Sequence, residues 1–214
     1  MSSAALTRPT KYLSCFSPTG AVTKAIGSTF GTAHTYVLSS VTSVAINVSP
    51  VQFKSQALAL NVAAALAASG LAASRLELEI TEAVLIRDDE IALEVLHQLR
   101  ALGVRIALDD FGTGYSSLSY LQRFPFDKIK IDRSFVKDIT RAVASSSIVE
   151  AVVNIAAASN MTTTAEGVET EQQRELLRVL GCTEMQGYLF SPAIPAVEIR
   201  QLLRSHRSRA VSAA

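Results

Sequence analysis

The chain has 214 residues, a length that fits one domain and leaves too little sequence for two sizeable ones. Apolar residues make up 49% and charged residues 18%, a composition that excludes wholesale disorder and fibrous repeats. The formal net charge of +1 gives no electrostatic reason to expect binding to nucleic acid or to an anionic membrane. Two cysteines, Cys15 and Cys182, are too few for a disulfide scaffold or a zinc cluster.

The first 76 residues contain no acidic side chain, so all nineteen acids lie in residues 77–214. Among the first 43 residues, sixteen are Ser or Thr, and no helical or strand periodicity runs for long. We therefore expect residues 1–43 to form an irregular leader. Three interpretations of this leader stay open: a poorly ordered extension, an organelle transit peptide, and an altered or mis-framed N-terminus.

Strand and helix patterns alternate after residue 43. The predicted strands are Val44–Asn47, Arg75–Ile80, Val104–Leu108, Asp127–Ile131, Met161–Ala165 and Glu184–Leu189. The predicted helices are about Ser55–Ala68, a helix through Leu99 capped by Asp88 or Asp89, and Ser145–Ala158, Thr170–Leu180 and Ala196–Arg204. Such alternation implies a parallel sheet. Six βα units fit either an open doubly wound sheet or most of an eight-unit barrel.

The phase of the polar residues favours the barrel. Alternate residues of a strand lie on the same face, and we call each such set a phase. On each strand one phase is apolar, as Leu76 and Leu78 are, whereas the other phase has a polar residue at its C-terminal end. These polar residues are Asn47, Glu79, Asp109, Lys130, Glu166 and Gln186. A barrel strand packs its outer face on helices and carries chemistry at the C-terminal rim of the lumen. Strands of an open sheet with helices on both faces are instead apolar in both phases.

Six motifs stand in the order that is typical of the EAL domain. They are Asn47-Val48-Ser49-Pro50, Glu79-Ile80-Thr81-Glu82, the run Asp109–Ser117, Lys130–Phe135, Glu166–Glu169 and Gln186-Gly187-Tyr188. Over about Val44–Arg204 the chain thus resembles this family of bacterial cyclic di-GMP phosphodiesterases. The resemblance implies an α/β fold, a TIM-like (β/α) barrel in residues 44–204, preceded by the leader 1–43 and followed by a tail, 205–214.

The resemblance also implies a two-metal phosphodiesterase that hydrolyses cyclic di-GMP to linear pGpG. Mg²⁺ or Mn²⁺ would be held by oxygen ligands, and the positions that match metal ligands are Asn47, Glu79, Asp109, Asp110 and Glu166. The expected catalytic residues are Lys130, Asp110 and Glu166, with Lys130 matching a lysine that fixes the attacking water. Glu82 matches a glutamate that holds the loop of the Asp pair, and Gln186 matches a residue that lines the site near the substrate.

One family feature has no counterpart in this sequence. Family members carry two strands before the Asn-x-Ser strand, and the second bears a Glu-Ala-Leu motif whose glutamate is a metal ligand. No Glu precedes Glu77 here. We therefore expect an incomplete barrel, with the first two βα units missing or replaced, one metal site short of a ligand, and impaired hydrolysis. The alternatives are a non-catalytic module that binds cyclic di-GMP and an incomplete gene fragment.

The expected partner is cyclic di-GMP, with a homodimer plausible by family analogy and no nucleic-acid polymer. The longest apolar stretch, Ala57–Ala73, is interrupted by polar residues, so we expect no membrane span and a location in the bacterial cytoplasm.

Asp132 shares the phase of Lys130, and a place beside the site stays open for it. We expect Glu169 to serve a helix N-terminus, and Cys182 and Met185 to pack in the core. The three histidines, His34, His97 and His206, lie outside every motif.

Overall fold

The computed structural model describes residues 15–16, 24–25, 43–53, 57–84, 89–112, 121 and 123–192. The strands are β1 (Cys15–Phe16), β2 (Lys24–Ala25), β3 (Ser43–Val48), β4 (Leu76–Thr81), β5 (Arg105–Phe111), β6 (Lys128–Ile131), β7 (Thr162–Ala165) and β8 (Glu184–Gln186). The helices are α1 (Pro50–Phe53), α2 (Leu58–Ser69), α3 (Asp89–Ala101), α4 (Arg133–Lys137), α5 (Val143–Ala158) and α6 (Glu171–Val179). Short 3₁₀ turns lie at Ala73–Arg75 and Glu82–Val84.

The eight strands form one sheet in the order β1-β8-β7-β6-β5-β4-β3-β2. Every neighbouring pair from β2 to β8 is parallel. Among the described connections, α1 and α2 lie between β3 and β4, α3 between β4 and β5, α4 and α5 between β6 and β7, and α6 between β7 and β8. The architecture is therefore a partial (β/α) barrel, as the strand phase predicts. Among the described strands, β1 and β2 are the two ends of the sheet order.

The two end strands come from the part of the chain that we expected to be irregular. β1 pairs antiparallel with β8, through Cys15 opposite Gln186 and Phe16 opposite Met185. β2 pairs parallel with β3, through Lys24 opposite Ser43 and Ala25 opposite Val44. Each segment has only two residues, which is too short for any periodicity to show in the sequence. The leader thus covers parts of both sheet edges.

The outer face of the sheet forms the core with the helices. Ile106 and Leu108 of β5 and Ile129 and Ile131 of β6 are almost completely buried. They pack in one hydrophobic cluster with residues of the helices, among them Leu96 and Leu99 of α3 and Val149 and Val153 of α5. None of the helices that the structure describes is long and apolar enough to cross a membrane.

The predicted elements agree with the observed ones apart from their ends and the shortest helices. Helix α5 begins at Val143 with no side-chain cap, two residues before the predicted serine cap. β8 ends at Gln186, three residues before the predicted end, because the chain turns into a loop at Gly187. The short helices α1 and α4 were not predicted. The predicted helix Ala196–Arg204 lies outside the described residues.

Candidate active site

A buried cluster of opposite charges lies inside the sheet curve, near the C-terminal ends of the strands. The ammonium Nζ of Lys130 on β6 lies 3.2 Å from Glu79 Oε2, 2.7 Å from Asp109 Oδ1 and 2.6 Å from Glu166 Oε1. Glu79 is on β4, Asp109 is on β5, and Glu166 directly follows β7. Four of the predicted site residues therefore meet around one nitrogen atom. We call this set the upper cluster.

The upper cluster keeps Lys130 positively charged. Burial alone would lower the pKa of Lys130, but the negative charges of Glu166 and Asp109 outweigh burial and raise that pKa above its ordinary value of 10.5. Lys130 is therefore an ammonium ion at neutral pH, able to donate hydrogen bonds and unable to accept a proton. Because three carboxylates face this one ammonium, the upper cluster carries excess negative charge.

A second cluster lies on β4, β6 and β8, two residues before Glu79, Lys130 and Gln186. Lys128 Nζ contacts Glu77 Oε2 at 2.8 Å and donates a hydrogen bond to Glu184 Oε2 at 2.7 Å, and the Thr164 hydroxyl donates to the same oxygen at 3.1 Å. The two carboxylates raise the pKa of Lys128 although its burial acts in the opposite direction. The period of two along β4, β6 and β8 explains why the clusters stack. We call this second set the lower cluster.

The Asp109–Asp110 pair lies in a β-bulge of β5. Leu108 pairs with Ile129 and Phe111 with Ile131, so two residues of β5 stand opposite the single residue Lys130. Asp110 adopts a left-handed backbone with φ of 55°, and its N–H donates to Asp109 Oδ1 at 3.1 Å. The bulge interrupts the strict alternation of faces at the C-terminal end of the strand, where Asp109 is buried and Asp110 is exposed.

Gln186 holds Glu166 in place. Its amide Nε2 donates to Glu166 Oε1 at 2.6 Å, and its side chain is fully buried. The loops that follow β7 and β8 are in close contact beyond these residues, since a side chain at Gly187 would overlap the backbone of Val168. The Gln186 side chain thus supports the carboxylate of Glu166, and its predicted contact with a substrate stays a prediction.

Asn47 and Glu82 lie beside the upper cluster. Asn47 is opposite Glu79 in the register between β3 and β4, and its side chain is exposed. Glu82 is buried at the start of the 3₁₀ turn Glu82–Val84, which packs against β5. The predicted role of Glu82 in holding the Asp loop stays a prediction.

The motif that contains Asn47 also starts a helix. Ser49 and Gln52 form reciprocal hydrogen bonds: the Gln52 N–H donates to Ser49 Oγ at 3.2 Å, and the Ser49 N–H donates to Gln52 Oε1 at 3.0 Å. Pro50 occupies the first turn, where its missing N–H costs no hydrogen bond. This local structure ends β3 directly after Asn47 and Val48.

The donor set is suited to a hard divalent cation. Carboxylate oxygens are the ligands that Mg²⁺, Mn²⁺ and Ca²⁺ prefer, and those of the upper cluster carry excess negative charge. In the arrangement described, Lys130 occupies the space between the three carboxylates. Accordingly, no set of three or more His, Cys, Asp or Glu side chains within the described ranges is spaced as a ready metal site. The residue types of the upper cluster therefore fit a hard divalent cation.

Sequence reasoning missed the lower cluster and one hydrogen-bonding residue. Glu77, Lys128 and Glu184 share the phase of Glu79, Lys130 and Gln186, and this shared phase was the signal that could have identified them. Asp132 is not in the upper cluster: it caps α4, and its Oδ1 accepts the Ser134 N–H at 2.9 Å. Gln173, which the sequence places only in a capping box, reaches from α6 to α4.

Comparison with known proteins identifies the family. The sequence model of the EAL domain matches residues 23–193 of this chain. The chain belongs to the EAL domain family. Its members bind divalent metal ions, as the manganese and calcium complexes among the solved structures illustrate. The match begins before β2, so it includes part of the segment that we assigned to the leader.

Relatives of this EAL domain carry names from cyclic di-GMP metabolism. It is 44% identical over 156 residues to the bifunctional diguanylate cyclase/cyclic di-GMP phosphodiesterase MucR of Pseudomonas aeruginosa, covering 73% of this chain and 23% of MucR. The chain spans about a fifth of the length of the first curated relatives that it matches.

Two solved structures define the fold similarity. The EAL domain of Mycobacterium smegmatis DcpA is 35% identical, with a TM-score of 0.80 over 92% of this chain and 96% of that one. BlrP1 of Klebsiella pneumoniae, in a complex with manganese and cyclic di-GMP, is 36% identical, with a TM-score of 0.67 over 71% of this chain and 39% of BlrP1. These similarities agree with the partial barrel described above.

Proposed function

We propose that this EAL domain hydrolyses cyclic di-GMP to linear pGpG with the help of divalent metal ions. The observation that supports the proposal is the upper cluster, in which carboxylates on β4, on β5 and directly after β7 converge on one buried ammonium. MucR and BlrP1, whose names or complexes include cyclic di-GMP, support the choice of substrate. In the reaction, water adds to a phosphorus atom, the bond from phosphorus to the 3′ oxygen breaks, and that oxygen takes up a proton.

The residues of this chain have separate tasks in the proposal. Asn47, Glu79, Asp109, Asp110 and Glu166 would hold the metals, with Mn²⁺ or Mg²⁺ as our specific proposal. The bound cations would neutralise phosphate oxygens and make the attacking water more acidic. Lys130, which stays protonated, orients that water and offsets negative charge. Glu82 supports the loop of Asp109 and Asp110, and Gln186 fixes the carboxylate of Glu166.

We further propose that turnover is slow, since the strand next to β3 supplies no carboxylate. β2 pairs with β3 at Lys24 and Ala25, and the first 76 residues contain no Asp or Glu. The same observation favours a second candidate function: a module that binds cyclic di-GMP without cleaving it. For either function we propose that residues 44–204 form the active domain. We also propose that it acts in the bacterial cytoplasm, where cyclic di-GMP acts. A homodimer is also part of the proposal.

Chromatography of cyclic di-GMP incubated with the purified chain and Mn²⁺ tests the proposed hydrolysis. We expect slow formation of pGpG, which Asp109→Ala abolishes because it removes a carboxylate of the upper cluster. Asp138→Ala is the matched control, because Asp138 is an exposed aspartate outside the cluster. If the folded chain forms no pGpG, hydrolysis is excluded. A titration with cyclic di-GMP then decides whether the binding module is correct.

A further inference from the structure

The side-chain amide of Gln173 links two helices that follow neighbouring strands. Its Oε1 accepts hydrogen bonds from the N–H groups of Glu169 at 2.8 Å and Thr170 at 3.0 Å, at the N-terminal end of α6. Its Nε2 donates to the carbonyl oxygens of Val136 at 3.1 Å and Lys137 at 3.4 Å, at the C-terminal end of α4. One buried amide thus caps both helix ends and uses all of its hydrogen-bonding capacity.

The two helix ends connect directly to the upper cluster. α4 follows β6, which carries Lys130, and α6 follows the loop that begins with Glu166. The same loop is joined to β6 by the Glu166 N–H, which donates to the Ile131 carbonyl at 3.0 Å. Gly167 packs against Arg133 so closely that even a methyl group would collide with the arginine side chain. The loops after β6 and β7 therefore have little freedom to shift relative to each other while Gln173 joins them.

We infer that Gln173 is a positioning residue that fixes the carboxylate of Glu166 relative to Lys130, and thereby sets the affinity of the upper cluster for a divalent cation. The inference rests on the proposed function, which makes Glu166 a metal ligand. Gln173 does not contact the upper cluster itself. It acts through the backbone segment from Glu166 to Thr170. Gln173 binds the C-terminal end of this segment and holds it against α4.

The competing explanation is that Gln173 only caps α6 and contributes to stability. Gln173→Glu separates the two roles, because a glutamate keeps an oxygen for the N–H groups of Glu169 and Thr170 but cannot donate to Val136 and Lys137. A carboxylate in the first turn of α6 also interacts favourably with the helix dipole. Gln173→Met removes both functions at similar side-chain size. Gln172→Glu is the matched control, since Gln172 is exposed one position earlier on the same helix.

Two measurements on the full chain test the inference: the Kd for Mn²⁺ by isothermal titration calorimetry, and hydrogen exchange of individual amides by NMR. We expect Gln173→Glu and Gln173→Met to raise the Kd for Mn²⁺ about tenfold, as loss of an orienting partner commonly does. We also expect faster exchange at the Glu166 and Val168 amides, with β4 and β5 unchanged in Gln173→Glu. Gln172→Glu should match the unmodified chain in both measurements.

A merely structural role predicts a different pattern. Gln173→Glu would then bind Mn²⁺ within twofold of the unmodified chain, and its Glu166 and Val168 amides would exchange no faster, which would overturn the inference. Hydrolysis of cyclic di-GMP, measured on the same samples, reports separately on the proposed function. If the unmodified chain binds no Mn²⁺, the inference about metal affinity is wrong, and the exchange rates then show only whether Gln173 holds the loop that begins with Glu166. If it binds Mn²⁺ but does not hydrolyse cyclic di-GMP, the proposed hydrolysis fails and the test of Gln173 is unaffected.

Discussion

Lys130 is the residue on which the candidate site depends, because its ammonium is the group that contacts all three carboxylates of the upper cluster in a buried position. Replacing it by methionine keeps most of the side-chain volume and removes the charge. We expect Lys130→Met to lower the free energy of unfolding by about 3–5 kcal/mol, as does loss of one partner from a buried ion pair. Urea unfolding in the presence of EDTA measures this change. Lys137→Met, at an exposed position of α4, is the control and should change little.

The difference in stability between the unmodified chain and Lys130→Met also depends on pH. The sign of this dependence follows from the raised pKa of Lys130. A group whose pKa is higher in the folded state contributes its full stabilisation below its unfolded pKa and loses it as the pH rises through the folded value. The stability difference between the unmodified chain and Lys130→Met should therefore be constant from pH 6 to pH 9 and shrink only above about pH 10.5. A difference that shrinks as the pH rises from 6 to 9 would mean that Lys130 is not held as an ammonium ion.

The residues of the upper cluster could be predicted because they share one phase. Glu79, Asp109, Lys130 and Glu166 end that phase on four neighbouring strands, and parallel strands bring their C-terminal ends together. The contact between Gln186 and Glu166 could not be predicted in this way. It depends on the reach of one side chain and on the close approach of two loops at Gly187 and Val168, neither of which has a periodic pattern.

At the level of elements, the bulge in β5 is a feature that the sequence pattern does not predict. Strict alternation would place Asp109 and Asp110 on opposite faces, whereas the register shows an extra residue opposite Lys130. The extra residue requires a left-handed backbone at Asp110, and aspartate tolerates this conformation better than most residues with a side chain. The sequence therefore predicted the strand and its acidic end correctly but not the geometry of the pair.

Substitutions at Asp110 separate the conformation from the carboxylate. Asp110→Gly should be the more stable of two variants, because glycine adopts positive φ freely. Asp110→Val should lose about 1–2 kcal/mol, because a β-branched side chain is strained there. Under the proposed function both variants lose hydrolysis of cyclic di-GMP, since both lack the carboxylate. Thermal unfolding and the chromatographic assay give the two readouts.

Asn160 offers a matched control for this prediction. It is the second non-glycine residue with positive φ among those described, also at 55°, and it lies in the turn before β7, away from the upper cluster. Asn160→Val should show the same strain and still hydrolyse cyclic di-GMP at the rate of the unmodified chain. Equal activity of Asp110→Gly and the unmodified chain would remove Asp110 from the proposed metal site.

At the scale of the whole molecule, the order of the central strands follows from the alternation of strands and helices, since each helical connection places the next strand beside the last one. The ends of the sheet do not follow from it. β1 lies beside β8, far away in the chain, and β2 pairs with β3 through only two residues. A pairing of this kind forms because the edge of a sheet offers N–H and C=O groups to another strand. It does not depend on a periodic pattern in the sequence.

Removing residues 1–42 tests what the two end strands contribute. The shortened chain would begin at Ser43, the first residue of β3, and would lose both β1 and β2. We expect the newly exposed edges of β3 and β8 to pair between molecules, because unpaired N–H and C=O groups on a sheet edge are a template for another strand. Sedimentation velocity at several concentrations should show larger species that grow with concentration. Removing residues 205–214 instead is the control for shortening the chain. If the chain without residues 1–42 sediments as one species and unfolds at the same urea concentration as the full chain, the two-residue strands do not protect the sheet edges.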